Sequence, residues 1–213
     1  MGGEKTGVLG IGRQSGDDDD DGVRSIGDDP GPIGIGDPIP LDVPRIIAHV
    51  DNDWDPPNPT TTPEIIVHGR TLADAAQALD QLPEWGQGGG SIRAEAIPVG
   101  TSTNLTVKLS GGLIYRLPTW TGYSGASTAA QAEWDKMFAH LKAHEDRHLQ
   151  NAIEEANKVA KELIGKDISQ IARRVTAANR TMAQRQQKLD TDTQNGSKPG
   201  VPFGDVILDT SIT

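Results

Sequence analysis

The chain has 213 residues, no cysteine, an apolar fraction of 35% and a formal net charge of −10. That length suits one domain around one modest core, and the absence of cysteine excludes both a disulfide framework and a thiolate metal site. No apolar run approaches membrane-spanning length and the start of the chain lacks the apolar core of a secretory signal, so neither a membrane partner nor signal-peptide export is expected.

The charge is unevenly placed. Residues 1–62 carry 13 acids against 4 bases, whereas residues 63–213 carry 17 against 16. With no basic excess in the larger part, nucleic acid is not the expected partner. Residues 1–43 are mainly Gly, Pro and Asp with isolated Ile and Val. Such a composition buries too little apolar surface to offset chain entropy, so it reads as a disordered acidic leader before a domain at 44–213. The five aspartates that begin at Asp17, with Gly22 after them and Asp28 at the twelfth position, partly imitate a calcium loop. Arg24 stands where such a loop has an apolar residue, and a solvated acidic run is the better reading. Asp51, Asp53 and Asp55 around Trp54 read the same way.

From Pro44 the pattern changes. Residues 45–50 and 64–68 are rich in β-branched side chains and predict strands. Thr71 with Asp74 three positions on resembles a capping box, opening a short helix through Leu82 that stops at Pro83. Residues 92–97, 105–109 and 113–117 alternate apolar and polar side chains, and Gly111-Gly112 between the last two reads as a hairpin turn. Pro118, Trp120 and a Gly/Ser loop containing Tyr123 follow. A long helix is predicted from near Ser127 to Ile164 with Gly165 as its cap. Asp167 with Gln170 opens a second helix, apolar at Ile168, Ile171, Val175, Ala178, Met182 and Leu189.

Within the long helix His144, Glu145 and His148 spell His-Glu-x-x-His. Composition alone yields about 0.005 such patterns in a chain of this length. Residues four apart on a helix differ by about 40° in azimuth and roughly 6 Å in rise, so both imidazoles can share one metal ion. Zinc takes such a pair, and a glutamate one residue after the first histidine is placed to accept a proton from water activated by the ion. Counted from Trp134, residues such as Leu141, Ala152, Ala156 and Leu163 form one apolar stripe with Glu145 in its middle. His148 and His144 fall on the edge of that stripe. A carboxylate aimed at a core needs compensation, either a metal site or a basic partner. His140, one turn earlier, has drifted further from the stripe and reads as a solvated or substrate-side residue.

The hairpin of the two long helices locates a third ligand. Antiparallel helices each rise ~1.5 Å per residue, so counting equal distances either side of Gly165 carries the two histidines to the low to middle 180s, and the segment just past the second helix is expected to pass beside them. That segment runs from Asp190 to Gly196.

With Ile66-Val67-His68-Gly69, Thr71 and Leu72, then Leu117-Pro118 and Trp120, then Trp134, Phe138 and Leu141 before the motif, the chain resembles the bacterial predicted zinc proteases grouped as domain-of-unknown-function family 922. The resemblance spans roughly residues 63 to 204. It implies a closing Tyr-Asp-x-x-Thr-x-His-Gly segment whose histidine is a natural third ligand. Here Asp190, Thr193 and Gly196 fit, while Leu189 replaces the tyrosine and Asn195 the histidine. Asn195, which offers only a neutral oxygen, is the tentative third ligand, with Asp190 or Asp192 as the alternatives.

The expectation is a zincin-like α+β domain: a small, mainly antiparallel sheet packed on the motif helix, with a second helix returning antiparallel beside it. It would be a zinc-dependent metallopeptidase acting on a peptide or protein substrate. His144 and His148 hold Zn2+, Glu145 is base and then acid, and Tyr123 is a candidate for stabilising the oxyanion. A degenerate zincin-like module that binds without cleaving, and an exported effector protease with one target, are the alternative readings. Export without a visible signal peptide is expected, with the cytoplasm as the other location.

Overall fold

In the computed structural model, which describes residues 45–52, 58–99 and 104–212, the long helix is the axis around which everything else is placed. The acidic leader, both calcium-like aspartate groups except the backbone of Asp51, and Trp54 lie outside the described residues. This helix, here α2, covers Thr128–Leu163. Ser127 caps it by accepting the Ala130 N–H at 3.2 Å. Its end comes where Gly165 takes φ +74°, a left-handed value that a residue with a Cβ rarely adopts. A 3-10 turn at Ile168–Gln170 then leads into the returning helix α3, Ile171–Thr193. Asp167 precedes that turn without a side-chain capping bond, so the expected cap is absent. α3 also runs further than expected, to Thr193. The Thr193 hydroxyl bonds back to the Leu189 carbonyl at 2.8 Å and accepts the Gly196 N–H at 3.0 Å, which closes the helix end internally.

The strands form three small sheets, not the single sheet expected. β1 (Arg45–Asn52) pairs parallel with β5 (Asn104–Ser110), and β4 (Arg93–Pro98) pairs antiparallel on the other side of β5. β2 (Ile65–Val67) pairs parallel with β7 (Pro118–Trp120), and β3 (Gln87–Gly90) pairs antiparallel with β6 (Leu113–Arg116). The hairpin expected at Gly111-Gly112 does not form, because the strands on its two sides go to different sheets. The reason is β3. Its glycines carry no apolar alternation to read in sequence, yet they let the strand lie against the α2 backbone. A Cβ on Gly88 would sit 2.2 Å from the Glu145 carbonyl oxygen. Gly88→Ala is therefore expected to cost about 1–3 kcal/mol of stability by overpacking. Gly112→Ala, where a Cβ meets nothing within 4 Å, should change denaturant midpoints little.

Two apolar clusters sit along α2. Near its start, Trp134, Met137 and Leu141 pack with Val67, Leu72 and Trp120. α1 (Leu72–Leu79) belongs to this cluster and opens with the reciprocal Thr71–Asp74 capping box, but ends before Leu82. Trp120 stacks obliquely on Trp134 with centroids 5.3 Å apart, and its Nε1–H donates to the Gly69 carbonyl at 2.9 Å. Near the helix end, Ala156, Val159 and Leu163 pack with Val107, Leu109 and Met182. The Asn179 amide on α3 bonds both the N–H and the carbonyl of Ile92, at 2.8 and 2.9 Å, and so ties α3 to the start of β4. The His-Glu-x-x-His segment falls between the clusters. No described helix is long and apolar enough to cross a membrane.

Candidate metal centre

His144 and His148 stand on successive turns of α2 with ring centroids 4.6 Å apart and planes inclined by 73°. Their Nε2 atoms approach to 3.0 Å. From the last turn of α3, one Asp190 carboxylate oxygen lies 2.9 Å from His148 Nε2 and 3.4 Å from His144 Nε2. Among the described residues these three form the one group of histidines and carboxylates whose donor atoms converge closely enough to hold a metal ion.

The remaining ring nitrogens decide the chemistry. His144 Nδ1 lies 3.0 Å from the Phe203 carbonyl oxygen, which can only accept, so that nitrogen carries the hydrogen. His148 Nδ1 bonds Gln186 Oε1. The Gln186 amide is oriented by its own donation from Nε2 to the His148 carbonyl at 2.9 Å, so its oxygen faces the ring and His148 Nδ1 must also donate. Two neutral imidazoles so fixed turn lone pairs toward each other and toward a carboxylate. Three electron-pair donors within 3.4 Å repel unless a cation lies among them, a shared proton or a metal ion. Burial disfavours the charge on Asp190, but a proton shared from the histidine Nε2 atoms that face it outweighs burial and holds the carboxyl well below the usual carboxylate range.

Relative exposures are 4% for His144, 6% for Glu145 and 7% for His148. The histidines are thus as enclosed as the glutamate, and not on the rim of the buried face as the apolar stripe suggested. That stripe marks one flank of the buried face; the other is polar, with Glu133, Asn151 and Glu155 also buried. Gln186 from α3 and the segment after Gly196 cover it. Burial pushes the Glu145 carboxyl up to about 7, while a proton on His144 and the Gly88 N–H act to pull it down. A Cβ on Gly86 would come within 3.0 Å of its Oε1. The charged side chains that act most on Glu145 are His144, Glu84 and Asp190.

The other candidates separate. Asp192 is exposed and pairs with Lys188 at 2.8 Å. Asn195 is half-buried in a left-handed conformation, and its N–H donates to the Asp190 carbonyl at 2.6 Å. Of the three residues weighed as third ligand, Asp190 supplies the convergent oxygen. The hydroxyl of Tyr123, the oxyanion candidate, donates to Asp135 at 2.7 Å and its ring stands edge-on to Trp120. Asp135 precedes His144 on α2 by nine positions, roughly 14 Å of rise. His140 is half-buried and outside the convergent group. Gln186 and Phe203 escaped the sequence reading. An isolated glutamine on a polar helix and a main-chain carbonyl leave no pattern.

An α+β domain with two histidines and an aspartate converging on one helical hairpin defines a candidate metal-binding protein. The model for the family described as bacterial protein of unknown function (DUF922) matches residues 64–197, and the chain belongs to that family. No curated protein and no solved structure matches the chain significantly.

Proposed function

We propose that the chain is a zincin-like, metal-dependent hydrolase of amide bonds in a peptide or protein. The observation that carries this reading is the set of three lone-pair donors, His144 Nε2, His148 Nε2 and Asp190 Oδ1, aimed at one point with both Nδ1 hydrogens committed elsewhere. Two imidazoles and one carboxylate suit Zn2+ by ligand type. A divalent ion held there would polarise a carbonyl and make water acidic enough to attack at neutral pH. Glu145, on the same turn and nearly enclosed, would take the proton from that water and return it to the leaving amine. Its raised pKa matches a group that must do both near pH 7. Phe203 and Gln186 hold the two imidazoles in the tautomer that leaves Nε2 free.

The low exposure of His144, Glu145 and His148 favours a second reading, a closed structural metal site without turnover, since catalytic sites keep a position open. Metal analysis of purified protein, run beside hydrolysis of unfolded casein with and without a chelator, separates the two. About one equivalent of zinc with chelator-sensitive cleavage is expected. Metal without cleavage supports the structural reading, and no metal removes both.

A further inference from the structure

The segment after α3 lies along α2 as a strap. It begins at Gly196, where the Val206 N–H returns to the Gly196 carbonyl at 2.9 Å and closes a loop over residues 197–205. Inside the loop Lys198 accepts from Asp205 N–H at 3.2 Å, Val201 accepts from Gly204 N–H at 3.0 Å, and the Asp205 carboxylate accepts from Gly200 N–H at 2.9 Å. Beyond it Val206 is buried, Leu208 and Ile212 pack against the cluster around Trp134, and the Asp209 N–H donates to buried Glu133 at 3.1 Å. The strap thus follows α2 from His144 back to Glu133.

Two features of the loop are costly without a purpose. Phe203 and Asp205 take φ +63° and +64°, a left-handed conformation unfavourable for both and especially for a bulky aromatic, and the Phe203 side chain stays 40% exposed. Backbone held in such a region marks a surrounding structure that over-determines it. What the conformation delivers is the Phe203 carbonyl, 3.0 Å from His144 Nδ1.

We propose that this strap is a latch on the metal centre: the Phe203 carbonyl holds His144 in the Nδ1–H tautomer, so docking of residues 197–206 and occupancy of the site by a divalent cation reinforce each other. The proposal rests on the metal-binding part of the function proposed above. An imidazole free in water prefers the Nε2–H form, which places a hydrogen where a metal ion would bind. Without the latch that tautomer must be reversed before coordination. By linkage the effect is mutual, so a bound cation tightens the loop by the same factor that the loop tightens the cation.

The test uses the full chain and Zn2+ alone. A Cβ on Gly204 would sit 2.1 Å from the Lys198 carbonyl oxygen, so Gly204→Ala must open the loop. Asp205→Ala, which removes the bond from Gly200 and sets alanine at a left-handed φ, is the milder variant should the first fail to fold, and Ile207→Ser on the exposed outer side is the control. Long-range nitrogen–proton spectra of the metal-free protein in alkaline buffer should show His144 as Nδ1–H in the wild type and the control, shifting toward Nε2–H in Gly204→Ala. Zinc affinity by chelator competition should fall about 10–100-fold in Gly204→Ala, the range for a partner that orients a ligand, and less in Asp205→Ala. Zinc should slow hydrogen exchange at the amides of Gly204, Asp205 and Val206 in the wild type. An unchanged His144 tautomer in both loop variants overturns the latch, whether or not metal binds. Unaltered exchange in zinc-saturated protein overturns the linkage. A wild type that binds no zinc overturns the metal reading itself, while the tautomer arm still decides what the loop does to His144.

Discussion

Glu145→Gln is expected to reduce amide hydrolysis by about three orders of magnitude, within the 10²–10⁴-fold range for a positioned acid–base group, while zinc content stays at the wild-type level. Glutamine keeps the shape of the side chain in the space closed by Gly86 and Gly88, and its oxygen can still accept the Gly88 N–H. What it loses is the ability to take a proton. Because burial already pushes this carboxyl up to about 7, a neutral amide is no worse a tenant, and the variant should fold as stably as the wild type. Initial rates on casein with parallel metal analysis check both halves. Activity preserved in the variant would move the base to another residue.

Asp190→Asn is expected to weaken zinc binding by at least about 100-fold, beyond the 10–100-fold typical of residues that only orient a ligand. The carboxylate brings the one negative charge among the three donors and touches both histidines. An asparagine amide can rotate to give a hydrogen to His148 Nε2, which satisfies the metal-free cluster and competes with the ion. Asp192→Asn, at an exposed position paired with Lys188, should bind as the wild type does. Thermal or denaturant unfolding gives an independent measure. A ligand at 1,000 times its Kd stabilises by about 4.1 kcal/mol, and a 100-fold weaker site forfeits about 2.7 kcal/mol of that. Equal zinc-induced stabilisation in Asp190→Asn would show that this carboxylate is not a ligand.

The parts of the molecule that follow local rules were legible. Ser127 and Gly165 bound helix α2 as their types require, the Thr71–Asp74 box forms as its spacing requires, and equal counting about Gly165 reaches the low to middle 180s, where Gln186 meets His148, about one turn short of Asp190. Local rules failed where the governing contact is distant in sequence. Strand β3 exists because glycines permit close approach to Glu145, a requirement set 57 positions away by α2 and invisible in a Gly-Gly-Gly run. Once β3 is in place β6 pairs with it, and Gly111-Gly112 connects two sheets. An apolar stripe sets the histidines at its edge because it reports only the oily side of a buried face. The polar side is sealed by hydrogen bonds to Gln186 and Phe203, and a main-chain carbonyl has no letter in the sequence.

The candidate ligands come from two helices of one contiguous hairpin, with His148 and Asp190 separated by 42 positions, in a chain without cysteine. A cation bound there would act as a covalent crosslink does, joining two distant points and withdrawing freedom from the unfolded chain. For a loop of that span the chain-entropy relation gives about 4 kcal/mol. Such a bond is removable by chelators or acid, conditions that leave a disulfide intact, so resistance to unfolding would follow the supply of metal ions around the protein rather than its redox state.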